Sequence, residues 1–437
     1  MLKSGFYQTD ITPALGTNMP GYFHRRPVKT IFDNLYVTAW VIDDGARRIA
    51  IASVDAVWVE REHQTAIKTR VQEACGIPVP DILIAATHTH TGGSTVVREY
   101  FGSPETEYIE FLIKRTADCI TMAARNVSDC ELSFGAGELT GHSYCRIFEN
   151  APGSISSAAK NVGPHKPKPY TEIDYGFTVI DVRRNGKTAG VVVNWANHCD
   201  TVGRGIGASA DYPGKMREIL KERFGADCAV LFLQGACGNV CHVNKLDERT
   251  FVPGQYVKIG TALAGEAIKS IENAEPQRDP AIGAETLYLA VTQRLPAPEQ
   301  LAWADGVNAL PGGSDSPEDK NFTDRYFARE TYEQLKKGSA PVICDLQVIR
   351  IGELAIYTSP GELFNEYARE IKSRSPYPYN MIAAYANGYI GYITTPACAS
   401  DDIYECRIKS GYTPEYGTGE KMTGLLLEAG NRLYKSK

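Results

Sequence analysis

The sequence contains no apolar run of the roughly 18 to 20 residues that a membrane-spanning helix needs. Its first residues, MLKSGFYQTDITPALG, also lack the hydrophobic segment of a secretory signal. We therefore expect a cytoplasmic protein without stable membrane insertion. No run of Lys or Arg is long enough to follow a phosphate backbone, and the net charge is only −6. These absences argue against nucleic acid as a partner and favour a small-molecule substrate.

Cysteine is present, but not in the patterns that build a metal site or a disulfide framework. The 11 cysteines are an odd number scattered from Cys75 to Cys406, without a C-x-x-C pair and without dense spacing. We expect reduced and mostly buried thiols that pack as small hydrophobic side chains.

The apolar content is sufficient for a large core, because 43% of the 437 residues are hydrophobic. Apolar runs predict strands at 35–44, 47–57, 81–88, 176–184, 189–198, 228–235, 343–352, 354–360 and 381–389. Helical spacing predicts helices at 60–75, 107–125, 213–224, 256–271, 298–308, 324–337, 362–373 and from 420 onward. This alternation predicts a layered α/β fold, and because no linker interrupts it, we expect one domain over 1–437.

Residues that bind metals or transfer protons follow several of the predicted strands. They are the histidines of THTH and NWANH, the Cys-His pair of GNVCHV, the glutamate of SPGELF and the tyrosines of YANGYIGY. In open α/β sheets, ligands bind beyond the carboxyl ends of the strands, where the connecting loops converge. The sequence therefore predicts one site built from several strand ends.

His88 and His90 are the most informative of these residues. Side chains alternate across a strand, so an H-x-H pair on a strand directs both imidazoles to the same face. A zinc site usually has three or four protein ligands, and His198 and Glu362 are natural candidates to complete it. Simpler interpretations compete: hydrogen-bonded structural histidines, and a Glu362 stabilised in the first turn of a helix. Tyr389 and Tyr392 are also compatible with ordinary strand aromatics.

The motif THTHTGG resembles the T-H-T-H-S-G signature of the neutral/alkaline ceramidases, zinc amidases that cut the N-acyl bond of ceramide. Further similar motifs follow in order along nearly the whole chain: ITPALGTNMPGY, SVDAVWV, NWANHCDT, SPGELF and YANGYIGYITT. The resemblance implies the catalytic-domain fold of that family, with layered mixed β-sheets flanked by helices. It does not extend to the C-terminal β-sandwich domain of the secreted ceramidases, which we do not expect here.

The resemblance also implies a role for individual residues. The expected ligands of one Zn²⁺ per chain are His88, His198, Glu362 and Tyr392. His90 is expected beside the metal as the group that transfers protons, while Arg146 and Tyr404 act on the substrate carbonyl. Such a zinc ion would acidify water for attack on an acyl carbon, and the two donors would stabilise the developing oxyanion. Asp211 is a candidate for a carboxylate that orients a ligand.

One stretch departs from the family pattern. Where ceramidases have G-D-V-S-P-N, this chain has GNVCHV, so Cys241 replaces a serine and His242 replaces a proline. Cys241 is open to two interpretations: a thiol nucleophile, or a structural or pocket-lining cysteine. Neighbouring residues on an extended strand point in opposite directions, so His242 is poorly placed to serve Cys241 as a base. Cys241, His242 and Tyr389 are therefore candidates for the pocket wall.

We predict a zinc-dependent hydrolase that cleaves a linear amide bond, or an ester, through a metal-activated water. The irregular segment 137–172 is polar, which favours a small soluble N-acyl or carbohydrate-derived substrate over two alkyl chains. A true ceramidase is the first alternative, and a ligand-binding protein without catalysis is the second. A dinucleotide-binding site on the glycines of 203–207 has less support than these alternatives, because the glycines do not lie between a strand and a helix.

Overall fold

Strands alternate with helices in the computed structural model, which describes residues 2–96, 105–202, 207–247, 254–278, 280–311 and 317–436. The strands are β1 (Lys3–Asp10), β2 (Thr30–Ile31), β3 (Tyr36–Asp43), β4 (Arg48–Val54), β5 (Ile82–Ala86), β6 (Ser128–Asp129), β7 (Glu131–Glu138), β8 (Tyr144–Cys145), β9 (Phe148–Ala151), β10 (Ser154–Ser156), β11 (Lys168–Pro169), β12 (Gly176–Arg184), β13 (Lys187–Trp195), β14 (Gly207–Ala208), β15 (Ala229–Gln234), β16 (Val240–Cys241), β17 (Glu275–Pro276), β18 (Ile282–Val291), β19 (Val342–Ile351), β20 (Leu354–Thr358), β21 (Glu362–Leu363), β22 (Tyr379–Ala383) and β23 (Tyr392–Ile393). The helices are α1 (Arg61–Cys75), α2 (Thr106–Arg125), α3 (Asp211–Phe224), α4 (Gln255–Glu272), α5 (Pro298–Asn308), α6 (Phe322–Lys337), α7 (Asn365–Arg374) and α8 (Thr418–Lys435).

Three mixed sheets form the framework, which confirms the predicted fold class. Their strand orders are β5-β4-β3-β1-β6, β15-β13-β12-β7-β17 and β18-β19-β20-β22. Helices α1 and α2 pack beside the first sheet, α3 and α4 beside the second, and α7 and α8 beside the third. The inner faces share one apolar core, to which Trp40, Ile180 and Ile356 contribute from the three sheets. Amphipathic helices thus cover the outer faces, while the sheets pack against one another inside.

Each of the three sheets contains one parallel pair of strands, and these pairs bring the strand ends together. The parallel pairs are β4 with β5, β13 with β15, and β20 with β22. The ends of β5, β15 and β22 are joined by backbone hydrogen bonds: Ala86 donates to Tyr385 at 3.2 Å, and Ala384 donates to Gln234 at 2.9 Å. Loops that leave the three sheets therefore start from one place.

The structure corrects several details of the sequence prediction. Strands β1, β7 and β18 were not predicted. Glu362 lies in β21, three residues before α7 begins at Asn365, so its placement in the first turn of a helix is wrong. Residues 203–206 of the glycine motif lie outside the described residues.

Two other expectations can be compared with the structure. All 11 cysteines are unpaired and nine of them are buried, which confirms the expected reduced thiols. In the part of the chain that the structure describes, no helix is both long enough and apolar enough to cross a membrane.

Asn194 connects the second and third sheets inside the protein. Its buried amide donates to the carbonyl oxygens of Leu233, at 2.7 Å, and Ile382, at 2.8 Å, and accepts from the Ile382 N–H at 3.0 Å. We expect Asn194→Ala to lower the free energy of unfolding by about 3 kcal/mol, because it leaves buried backbone groups without partners. Urea denaturation checks this, with exposed Asn308→Ala as a control expected to change stability by less than about 0.5 kcal/mol. If Asn194→Ala also changed stability by less than about 0.5 kcal/mol, the role of Asn194 in connecting the two sheets would be contradicted.

Candidate metal centre and active site

His88 and His90 lie in the loop that follows β5, not on a strand. The strand ends at Ala86, and His88 has a left-handed backbone with φ of 66°. The argument from strand alternation is therefore wrong, although the two rings do lie close together. The Nε2 atoms of the two imidazoles are 3.2 Å apart. A bend in the loop, rather than the pleat of a strand, brings the rings together.

His198 completes a cluster of three imidazoles. It follows β13 in the second sheet, and its ring centroid lies 4.7 Å from that of His88 and 4.9 Å from that of His90. One ring nitrogen of each histidine lies within 4.8 Å of the others, and all three residues are buried. Two of the parallel strand pairs thus deliver their histidines to the same point.

The protonation state of the three rings suits a metal ion. Burial lowers the pKa of His88 to about 3, and lowers the pKa values of His90 and His198 well below their ordinary range. Neutral imidazoles offer nitrogen lone pairs to a cation. The Nδ1 of His88 donates to the Val57 carbonyl at 2.8 Å, which leaves its Nε2 free to bind. His198 Nδ1 is buried without a hydrogen-bond partner among the described residues, which is the condition expected of a nitrogen that awaits a metal.

Glu362 and Tyr392 lie beside this cluster. They pair directly in the short parallel bridge between β21 and β23, which sets the two side chains next to each other. Glu362 Oε2 lies 3.8 Å from His88 Nε2, and Glu362 Oε1 accepts a hydrogen bond from Tyr389 at 2.7 Å. Burial raises the pKa of Glu362, an effect that the nearby Arg146 opposes. The third sheet therefore adds a carboxylate and phenols to the imidazoles of the other two.

Arg146 and Tyr404 also reach the site. Arg146 donates through Nη2 to the Tyr392 hydroxyl at 3.0 Å and to the Gly238 carbonyl at 2.7 Å, while its Nε lies 2.5 Å from Glu405 Oε1. The ring of Tyr404 packs edge-on against that of Tyr392, with 5.9 Å between the centroids. The structure thus gathers the predicted carbonyl-binding pair beside the predicted ligands.

The stretch GNVCHV, in which this chain differs from the family pattern, adjoins the site through Gly238, whose carbonyl accepts a hydrogen bond from Arg146. The Cys241 thiol donates to the Val243 carbonyl at 3.0 Å, and burial raises its pKa. Burial also lowers the pKa of His242 to about 4. A thiol that keeps its proton is a poor nucleophile, so these surroundings favour a structural Cys241. Of the three candidates for the pocket wall, only Tyr389 lines the cavity beside the histidines, whereas Cys241 and His242 do not.

Asp211 fixes the loop that carries His198. Its carboxylate accepts hydrogen bonds from the backbone N–H groups of Thr201 at 2.8 Å and Tyr212 at 2.6 Å. The contacts that the structure shows for Asp211 thus hold backbone in place, and none of them joins it to an imidazole of the cluster.

Several site residues were not predicted from the sequence. Tyr385 stacks on His88 with 3.9 Å between ring centroids, and its hydroxyl lies 3.4 Å from Glu362 Oε2. Tyr22 packs edge-on against His90 at 5.9 Å. Next to it, Gly21 allows the chain to pass close to His90, because a Cβ there would lie 2.4 Å from Nδ1 and φ is 98°. In the sequence, only the short motif MPGY, which contains Gly21 and Tyr22, marked this segment.

A small cavity opens onto the cluster. Its volume is about 70 Å³, and its wall includes His88, His90 and Glu362. The remaining lining is mainly aromatic and is formed by Tyr22, Phe23, Trp58, Tyr326, Tyr389, Tyr392, Tyr404 and Tyr412, with Gly21 and Lys409. The imidazoles and the carboxylate are thus accessible to a small molecule.

The fold and this site define a ceramidase-like α/β protein. The chain superimposes over 99% of its length on the crystal structure of neutral ceramidase from Pseudomonas aeruginosa, with a TM-score of 0.75, 18% sequence identity and coverage of 74% of that chain. A structure of ceramidase complexed with C2 matches with a TM-score of 0.74 and 17% identity, covering 99% of this chain and 75% of the other. Residues 3–205 also match the family model for the N-terminal region of neutral/alkaline non-lysosomal ceramidases. This family match over residues 3–205, together with the similarity of fold, confirms the resemblance drawn from the motifs. No curated protein sequence matches the chain significantly.

Proposed function

We propose that this protein is a zinc-dependent hydrolase that cleaves a linear amide bond, or an ester, of a small soluble N-acyl or carbohydrate-derived substrate. The observation that carries the proposal is the convergence of three buried imidazoles, two of which line one cavity together with a carboxylate. His88, His198, Glu362 and Tyr392 would hold the ion. A Zn²⁺ bound there would supply Lewis acidity, polarising an acyl carbonyl and acidifying water.

The proposed proton carrier is His90. Its Nε2 lies 3.2 Å from that of His88, and burial keeps the imidazole neutral. A neutral imidazole in this position can accept a proton from a water molecule and return it to the leaving amine. Tyr22 and Gly21, which contact the ring, would keep it in orientation.

Arg146 and Tyr404 are the proposed donors to the substrate carbonyl. The guanidinium is held by Glu405 and by the Gly238 carbonyl, so its direction is fixed before a substrate arrives. Donors that are already in place stabilise a developing oxyanion without reorganising during the reaction. Burial raises the pKa of Tyr404, so its hydroxyl keeps the proton that it would donate.

The size of the cavity favours a small substrate. Sites for drug-sized ligands usually enclose about 300 Å³ or more. The cavity here, at about 70 Å³, suits a short acyl group and the first atoms of an amine. Ceramide, with two long alkyl chains, would need much more enclosed space than this.

A substrate panel tests the proposal. The zinc-loaded protein is incubated with N-acetyl amino acids, N-acetylglucosamine, simple acetate esters and a short-chain ceramide, and the release of the acid is measured. We expect turnover of small N-acyl compounds, loss of activity after chelation and recovery with Zn²⁺. Preferred cleavage of ceramide would contradict the proposed substrate class. Activity that survives complete removal of the metal would contradict the mechanism.

Cys241→Ser restores the residue type of the family pattern and tests the thiol. We expect activity on the best substrate of the panel to stay within about threefold of the parent, because the thiol already donates to Val243 and holds its proton. Loss of a true nucleophile costs far more, on the order of 10⁶ in kcat for a serine protease. The measurement is kcat/KM, and a collapse of activity in both Cys241→Ser and Cys241→Ala would establish Cys241 as the nucleophile.

A further inference from the structure

Lys409 is a buried cation on the wall of the cavity. Only 8% of the residue is exposed, and it lines the same space as His88 and Glu362. Its ammonium lies 4.8 Å from the ring centroid of Tyr392 and 4.6 Å from that of Tyr404. The positive charge therefore lies between the ring of a proposed metal ligand and the ring of a proposed carbonyl donor.

The contacts of Lys409 leave its charge without a carboxylate partner. Its ammonium donates to the backbone carbonyls of Tyr404 at 3.0 Å and Arg407 at 3.4 Å, and no carboxylate of the described residues lies within ion-pair distance of it. Glu405, the acidic group nearest in sequence, is paired with Arg146. Burial lowers the pKa of Lys409, and the more distant charges of Glu405 and Glu362 oppose this effect.

A buried charge without a directly paired counter-ion is costly, and a buried ionisable group that lines a cavity is a candidate to bind a ligand of opposite charge. The ring contacts compensate only part of the cost, since each cation–π contact contributes about 0.5 to 2 kcal/mol. Glu362 also faces this cavity, but a divalent cation held by the cluster would more than neutralise its charge. A site with Lys409 and a bound metal ion would then attract an anion.

Resting on the proposed function, we propose that Lys409 binds the carboxylate of the substrate and that the substrate class is a short N-acylamino acid. In such a compound a single carbon separates the amide nitrogen from the carboxylate. This short spacing fits a cation adjacent to Tyr404, the proposed donor to the scissile carbonyl, and the compound is small enough for a cavity of about 70 Å³. The lysine acts as a point charge that selects the anionic amine portion of the substrate.

Binding of a matched pair of probes tests the assignment without turnover. The anionic probe is 4-oxopentanoate, in which a methylene replaces the amide N–H of N-acetylglycine, and the neutral probe is 4-oxopentanamide. Both are titrated into the zinc-loaded parent, Lys409→Met and Lys409→Arg by calorimetry. Fluorescence of Trp58, which stacks on Tyr389 in the cavity wall with 4.0 Å between centroids, gives a second readout.

We expect the parent and Lys409→Arg to prefer the anionic probe, and Lys409→Met to lose about 10- to 100-fold of affinity for it, as expected for one charge-assisted contact. Affinity for the neutral probe should change by less than about twofold in either variant, which reports an intact pocket.

Equal affinities of the parent for both probes, or a parallel loss of both in Lys409→Met, would overturn the proposal. Carboxylate binding through Lys409 without any hydrolysis would reject the proposed function alone, whereas hydrolysis of neutral amides that is indifferent to Lys409 would reject this inference alone.

Discussion

Zinc and activity should disappear together when His88 is replaced with alanine. Its Nδ1 is held by the Val57 carbonyl, so its Nε2 is presented toward His90 and within 3.8 Å of Glu362. Removing this ring takes out a group that lies against His90, His198 and Glu362. We expect about one zinc per parent chain and little in the variant. The fall in kcat/KM should be on the order of 10³ or more, since Lewis-acid catalysis contributes several kcal/mol.

Metal analysis after dialysis, paired with kinetics on the best substrate, checks this result. Glu362→Ala should behave in the same way, because its carboxylate lies 3.8 Å from His88 Nε2 and is the proposed oxygen ligand. Exposed His165→Ala is the matched control and should keep both zinc and activity. Stoichiometric zinc in both His88→Ala and Glu362→Ala would contradict the ligand assignment.

His90→Ala is expected to separate metal binding from catalysis. If His90 transfers protons while His88, His198, Glu362 and Tyr392 hold the ion, the variant should retain zinc. Its activity should fall by about 10² to 10⁴, the usual contribution of a general acid–base group. The pH profile of kcat should also lose the limb that depends on the imidazole.

The alternative outcome is equally informative, because His90 belongs to the three-imidazole cluster. If zinc leaves with His90, the metal is held by the triad of His88, His90 and His198, and the division of labour between the two histidines of THTH is wrong. Circular dichroism of the variant should match the parent, which separates loss of a ligand from loss of the fold. Retained zinc with retained activity would exclude His90 from the chemistry altogether.

Much of the site could be predicted because its residues follow apolar strands. The motif THTH and the NWANH and SPGELF segments all occur where a strand ends, and the structure brings His88, His198 and Glu362 together. The geometry of the approach could not be predicted. The left-handed backbone of His88 and the β21–β23 bridge that seats Tyr392 arise from contacts between sheets, which no local pattern encodes.

The residues that the sequence analysis missed share a physical cause. Tyr385 matters because its ring stacks on His88, and Lys409 because its charge is removed from water. Both properties depend on the surroundings in the fold, so the residue type alone gave no signal in the sequence. Among the strands, β18 was missed because many of its side chains are partly exposed and its apolar alternation is weak. The strands that were predicted are more continuously buried, as in β5 and β15. Burial on both faces leaves the clearest apolar run in a sequence.

Two of the five non-glycine residues with positive φ in the described chain lie at this centre: His88 and Tyr385, whose rings stack on each other. A left-handed conformation costs a residue with a side chain roughly 1 to 2 kcal/mol that glycine does not incur. The centre therefore lowers the conformational stability of the protein that carries it. Glycine at either position would remove that backbone cost but also a buried ring, which costs more, so a mutant library screened only for heat resistance should gain stability at other positions and would not select for the metal ligands. Engineered variants will therefore keep the centre only if they are selected for metal content or turnover as well as for thermal stability.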